Sequence, residues 1–107
     1  MNLGQVEALI AVVDYGSYAA AADVLRISQP SITRRLQACE AELGVALFMR
    51  LGRVMRVTEA GRSMLGPARR MLREAHELRA LAAAQQNLTA GTLRIGALPS
   101  LVATEAP

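Results

Sequence analysis

Ser28, Gln29, Pro30, Ser31, Thr33, Arg34, Arg35 and Gln37 crowd into ten residues of this chain. The chemistry they offer is recognition rather than catalysis. Guanidinium and amide groups can reach base edges and phosphates, and small neighbours let a helix backbone approach closely. An enzyme reading has little to work with. One histidine, one cysteine and scattered acids offer no triad, no metal cluster and no Gly-rich phosphate loop after a strand.

The spacing around these residues explains how they would be presented. Ile32, Leu36, Cys39 and Leu43 recur at steps of four, three and four. At helical periodicity they share a narrow arc that faces the core. Pro30, Arg34, Gln37 and Ala41 then lie opposite, flanked by Thr33 and Ala38. An ordinary solvated face would carry more acid–base pairs. Ser28 is the expected N-cap, with Gln29 and Pro30 in the first turn, where a missing N–H costs little. Backbone amides at helix starts such as those after Ser17 and Ser28 can also hold phosphates. Ahead of this helix, Leu3, Val6, Leu9, Ile10 and Val13 mark a first amphipathic helix over 2–14. Gly16 is placed to stop it, and Ser17 to cap a second helix over 18–25. Arg26 and Ile27 make the turn.

Gly44 ends the third helix. Residues 47–50 and 54–57 read as short extended runs joined by Leu51, Gly52 and Arg53, a small β-hairpin with Gly52 at its tip. Arg50, Arg53 and Arg56 on so short a hairpin suit phosphate or minor-groove contact. Blunting of an exposed sheet edge is the plainer alternative. Thr58 caps a further helix, with Glu59 near its positive end. Its pattern runs to about residue 86. Met64, Ala68, Met71, Ala75, Leu78 and Ala82 alternate at four and three, with Leu65, Leu72 and Leu81 beside them, close to a heptad seam. So long a stripe on so small a domain implies a second copy of the chain. Packing of its early residues on the first helix is the alternative. Pro67 removes a helical hydrogen bond, which leaves a kink open. Residues 85–91 read as a polar hinge, and 92–97 as a strand without a partner. That implies the N-terminal piece of a longer protein.

Composition sets the outer limits. The chain has 107 residues, 52% of them hydrophobic and 3% aromatic, so its core must be aliphatic. All twelve basic residues are arginines, against nine acids. Six of the arginines and only two of the acids, Glu40 and Glu42, fall in residues 26–56, a local charge of +4. That excess is an electrostatic footprint for nucleic acid, with solubility alone as the plainer explanation. Cys39, as the one cysteine, permits no internal disulfide and fits a reducing compartment. No signal peptide is visible, and no apolar run reaches the about 18 residues of a membrane span. A soluble, cytoplasmic protein without a membrane partner is expected.

Several strings, in order, resemble the N-terminal region of LysR-type transcriptional regulators. They are Tyr15-Gly16-Ser17-Tyr18, Ala21-Ala22 with Leu25, Ser28-Gln29-Pro30-Ser31, Leu43-Gly44-Val45 with Leu47-Phe48 and Arg50, and Thr58-Glu59-Ala60-Gly61. Leu93-Arg94-Ile95-Gly96 resembles the first strand of that family's effector domain. Each string alone is weak; together, at the family's spacing, they are specific and span essentially the whole chain. The resemblance implies a mainly α fold: a winged helix-turn-helix, with a three-helix core and hairpin wing, followed by a long dimerisation helix. It divides the chain into a DNA-binding domain at 1–58, a linker helix at 59–86, a hinge at 87–91 and the start of an effector domain at 92–107. It implies double-stranded DNA with an approximate inverted repeat as partner, and a homodimer through the linker helix, with a tetramer open for the full-length protein. No cofactor is implied for this chain; a small-molecule effector would belong to the remainder.

Family contacts at the recognition helix and wing map onto Gln29, Pro30, Ser31, Thr33, Arg34, Arg50, Arg53 and Arg56. Cys39 stands where the family usually has Leu, which predicts a slightly looser core rather than redox sensing. Arg35 often corresponds to Gln, and its role, base reader or phosphate contact, stays open. A protein-interaction module, in which the long helix matters and the arginines only solubilise, is the competing class.

Overall fold

A computed structural model describes residues 1–94 of the chain, with side chains described through Leu88. Its elements are α1 (Leu3–Tyr15), α2 (Tyr18–Leu25), α3 (Gln29–Leu43), β1 (Phe48–Leu51), β2 (Val54–Val57) and α4 (Glu59–Arg94). The chain divides into two compact units, Met1–Arg73 and Glu74–Pro107. The first holds the three-helix core, the hairpin and the start of α4. The described part of the second is helix.

Local chemistry sets the helix ends. Asn2 and Gln5 form a reciprocal capping box at 2.9 and 3.2 Å, a pairing the sequence reading did not single out. Ser17 accepts from the Ala20 N–H at 3.0 Å, and Ser28 from the Ser31 N–H at 3.2 Å. Gly16, at φ +86°, closes α1 in the left-handed region that favours glycine. The corresponding position after α2 is Arg26, at φ 58° and ψ 43°, the one non-glycine with positive φ among the described residues. An L-side chain pays for that conformation, by about 1–2 kcal/mol. Replacement by glycine relieves the strain but loosens the unfolded chain. Arg26→Gly is therefore expected to stabilise the domain by about 0.5 kcal/mol, and Arg26→Val, with its β-branched side chain, to destabilise it. Urea midpoints of the two variants check this.

The core is aliphatic, as composition requires. Val6, Leu9, Ile10 and Val12 of α1 meet Ala21 and Ala22 of α2, Ile32, Leu36 and Cys39 of α3, and Leu47 and Phe48 at the hairpin base. Burying one such side chain fully is worth about 1.5–3 kcal/mol. Phe48 meets Tyr18 edge-on, with centroids 6.1 Å apart and planes at 77°. Leu43 departs from the expected core face: it is exposed in the last turn of α3. Beyond Cys39 the core runs out, and Leu43 borders an open apolar hollow with Met1, Leu9, Met64 and Met71.

The hairpin is antiparallel, with Phe48 opposite Val57 and Leu51 opposite Val54. Leu51 therefore belongs to β1, and the connection is two residues rather than three. Gly52, at φ +63°, takes the first of them, as a two-residue hairpin favours.

Helix α4 also differs from the reading. It continues through the expected hinge at 87–91 and through Thr92–Arg94, where a strand was expected to begin. Extending an existing helix avoids the cost of nucleating a new element. The rest of the expected strand, residues 95–97, lies outside the described residues. Pro67 sits inside α4 without ending it. The stripe of α4 is divided as well. Ala68 is buried in the core, and Met64 and Leu72 pack against it, so these three serve their own domain. Met71, Leu78 and Leu81 remain exposed, and Ala75 is half-buried.

Arg69 of α4 holds Asp14 at the end of α1 through two bonds of 2.6 and 3.1 Å. The guanidinium holds the Asp14 carboxyl below its ordinary value. The pair's stability is thus fully present above the unfolded carboxyl's pKa, about 3.9, and is lost as pH falls through the lower folded value. Both side chains are substantially exposed, so the effect is small and screened by salt. Asp14→Asn should lower the melting temperature slightly at pH 6 and leave it equal to the parent near pH 2.

Candidate nucleic-acid interface

The recognition surface is built from the first turns of α3. Burial of Ile32, Leu36 and Cys39, each at 1% exposure or less, fixes the roll of the helix. The opposite side must then face solvent. Gln29, Pro30, Arg34, Gln37, Ala38 and Ala41 are exposed, and Thr33 is half-buried. Gln29, Pro30, Thr33 and Arg34 line one shallow open concavity.

Arg34 is not loose on this surface. Its Nη2 donates to Ser31 Oγ at 3.2 Å, and Ser31 Oγ lies 2.9 Å from Ser28 Oγ. The N-cap thereby helps to orient the guanidinium, leaving its other N–H groups for a ligand. The Thr33 hydroxyl donates to the Gln29 carbonyl at 3.3 Å, within the helix.

Arg35 makes a contact within the domain. Its Nη1 donates to the Gly4 carbonyl of α1 at 3.2 Å. A Cβ at Gly4 would stand 3.1 Å from that nitrogen, so glycine makes room for the strut. Arg35 is half-buried, with its guanidinium turned towards α1.

The wing is fixed to α3 by a residue the sequence reading passed over. The Glu40 carboxylate accepts from the Leu47 N–H at 2.6 Å and the Phe48 N–H at 3.4 Å. Leu47 is fully buried, so its N–H has no solvent to turn to. Glu40 is one of two acids in an arginine-rich stretch, and no local spacing rule links positions 40 and 47. The same junction is closed from the other side. Thr58 donates its N–H to the Leu47 carbonyl at 2.9 Å and its hydroxyl to Ala46 at 2.6 Å, while accepting from the Gly61 N–H at 2.9 Å. Burial, and then the nearby Glu40 carboxylate, push the Tyr18 phenol upward, with Arg50 opposing. Glu40→Gln keeps an acceptor but loses the charge that strengthens both bonds. It should cost about 1 kcal/mol of stability, read from denaturant midpoints.

Register separates the wing arginines. Arg50 pairs with Met55 and Arg56 with Met49, so Arg50 and Arg56 lie on opposite faces, with Arg53 at the tip. All three are exposed. The ion pairs among the described residues, Met1 amino group to Glu42 and Arg69 to Asp14, involve none of them. Cys39 is a buried free thiol, and burial pushes its pKa up. An enclosed thiol of this kind packs as a small apolar group. No group of three or more His, Cys, Asp or Glu among the described residues is placed to hold a metal. No helix among them is long and apolar enough to cross a membrane.

A helix anchored at its back, bare and cationic at its front, with a two-stranded arm riveted beside it, defines a winged helix-turn-helix. Residues 3–62 match the family model "Bacterial regulatory helix-turn-helix protein, lysR family", and the chain belongs to that family. It is 46% identical over 72 residues to an uncharacterized HTH-type transcriptional regulator of Azotobacter vinelandii, covering 67% of this chain and 50% of that protein. It is 35% identical over 101 residues to the DNA-binding transcriptional dual regulator OxyR of Escherichia coli, covering 94% of this chain and 33% of that protein. The chain thus spans between a third and a half of these relatives. A solved complex of the CbnR DNA-binding domain with DNA superposes with a TM-score of 0.70 at 46% identity, covering 78% of this chain and 99% of that one.

Proposed function

We propose that this chain is the DNA-binding and dimerising part of a LysR-type transcriptional regulator that recognises specific duplex sequences. The observation that carries the reading is the exposed front of α3, where Ser31 orients Arg34 among Gln29, Pro30 and Thr33. Arg34 and Gln29 are the base readers. Pro30 suits a thymine methyl, and Ser28, Ser31, Thr33 and Gln37 complete the surface. Arg50, Arg53 and Arg56 take the backbone or the minor groove. Arg35 is reassigned from this set to a strut that seats α3 on α1.

The reading includes a homodimer. The exposed Met71, Leu78 and Ala82, together with Ala75, are the part of the α4 stripe left for a second copy. Met64, Ala68 and Leu72 reach it only at their rims. Two copies would read an approximate inverted repeat. Residues 1–58 form the reader and α4 from 59 onward the linker; a small-molecule sensor and any tetramer contact belong to the remainder of the protein. The activity is binding, not catalysis, and its place is the cytoplasm.

Selection of bound duplexes from a random pool tests this, followed by titration of the selected site against salt. A shared half-site motif is expected, with log affinity falling steeply against log salt as counterions are released. No binding even at low salt would instead favour a protein-interaction module.

A further inference from the structure

The hollow beside Leu43 gathers most of the chain's sulfur. Three of the five methionines, Met1, Met64 and Met71, and the one cysteine, Cys39, line that single space between α1, α3 and α4. All four lie within the compact unit Met1–Arg73. Met64 and Met71 stand seven positions apart in α4, so they share one face of it. Cys39 is 1% exposed, whereas Met1 is 48% and Met71 39% exposed. The hollow thus has a closed floor and an open rim. The Met1 amino group is taken by the Glu42 carboxylate, and its thioether accepts from the Cys39 thiol at 3.7 Å.

That separation suits a shared ion. Two sulfurs bound to one ion at about 2.3 Å and a tetrahedral angle stand about 3.8 Å apart. None of the lining residues is His, Asp or Glu, and Ser63 is the one polar side chain besides the sulfurs. Hard cations find no carboxylate here. Thioether and thiolate donors select soft ions such as Cu(I). Charge narrows the choice further, because a cation in an apolar hollow must be neutralised locally. One thiolate balances a monovalent ion but would leave Zn(II) with a surplus charge. We propose that Cys39, Met1, Met64 and Met71 form a binding site for a soft monovalent metal ion, Cu(I) or its chemical equivalent Ag(I). On binding, the Cys39 thiol gives its proton to water, the thiolate takes the ion, and the methionine thioethers complete the shell. No electron is exchanged. The ion ties α3 to α4 on the side of α3 turned away from Arg34. The site is independent of the DNA-binding reading.

Anaerobic titration of the reduced full chain with Cu(I), against a colorimetric Cu(I) chelator, tests this. One ion per chain is expected, with a sulfur-only shell at about 2.3 Å by X-ray absorption and a melting temperature raised by several degrees. Ag(I) should reproduce the rise, and Zn(II) should give none. Cys39→Ala should abolish binding. Because that change also leaves a small void in the core, Met71→Leu is its companion. It conserves volume at an exposed position, so the metal-free melting temperature should be unchanged, while Cu(I) binding weakens about tenfold. Met49→Leu, on the wing, should alter neither. Absence of one-to-one binding by the parent, binding retained by Cys39→Ala, or nitrogen or oxygen in the shell would overturn the site. So would undiminished binding by both Met64→Leu and Met71→Leu.

Discussion

Gly61→Ala is expected to destabilise the domain by about 3 kcal/mol, the largest effect of any single-methyl change considered. A Cβ at this position would stand 2.6 Å from the Leu47 carbonyl oxygen and 2.9 Å from Val57 Cγ2. The nearer obstacle is backbone and cannot rotate away. That carbonyl is also fixed by the Thr58 N–H at 2.9 Å, and the Leu47 N–H by Glu40. Relief therefore requires α4 to lift from the hairpin base or the junction to open, and either exposes buried Leu47. Chemical denaturation of Gly61→Ala against the parent measures the loss. A cost below about 0.5 kcal/mol would mean that the junction yields more easily than this packing allows.

Arg34→Ala is expected to weaken binding to the selected duplex by about 30-fold, within the about 1–3 kcal/mol of a bidentate contact to a base. Binding to random duplex should fall much less. The side chain is exposed, and its Nη2 bonds only to Ser31 across the surface among the described residues, so the fold should survive intact. Ser31→Ala supplies a graded companion: it removes the orienting acceptor and leaves the guanidinium in place. A smaller loss is expected, again confined to the selected site. Equal loss by Arg34→Ala on selected and random duplexes would make Arg34 a phosphate contact.

Much of the fold was legible because it is local. Ser17, Ser28 and Thr58 each cap a helix through a neighbour three residues on, and Gly16 and Gly44 end helices by their own φ. The spacing of Ile32, Leu36 and Cys39 fixed the roll of α3, and with it which side of Arg34 meets solvent. The hairpin was legible as two apolar runs around a glycine. Leu43 was misjudged because periodicity reports which way a residue faces, not whether anything lies there to cover it.

The chain's sequence alone determined where the first three helices end, the roll of α3, the aliphatic core and the cationic stretch, since each follows from composition or from residues close together along the chain. Only the tertiary structure decided that Arg35 reaches back 31 positions to Gly4, that Glu40 rivets the wing, and that Gly61 must be bare. It also decided that Met64, Ala68 and Leu72 are spent on their own core. These depend on which distant backbone atoms arrive beside a side chain, and no periodicity along the chain encodes that arrival.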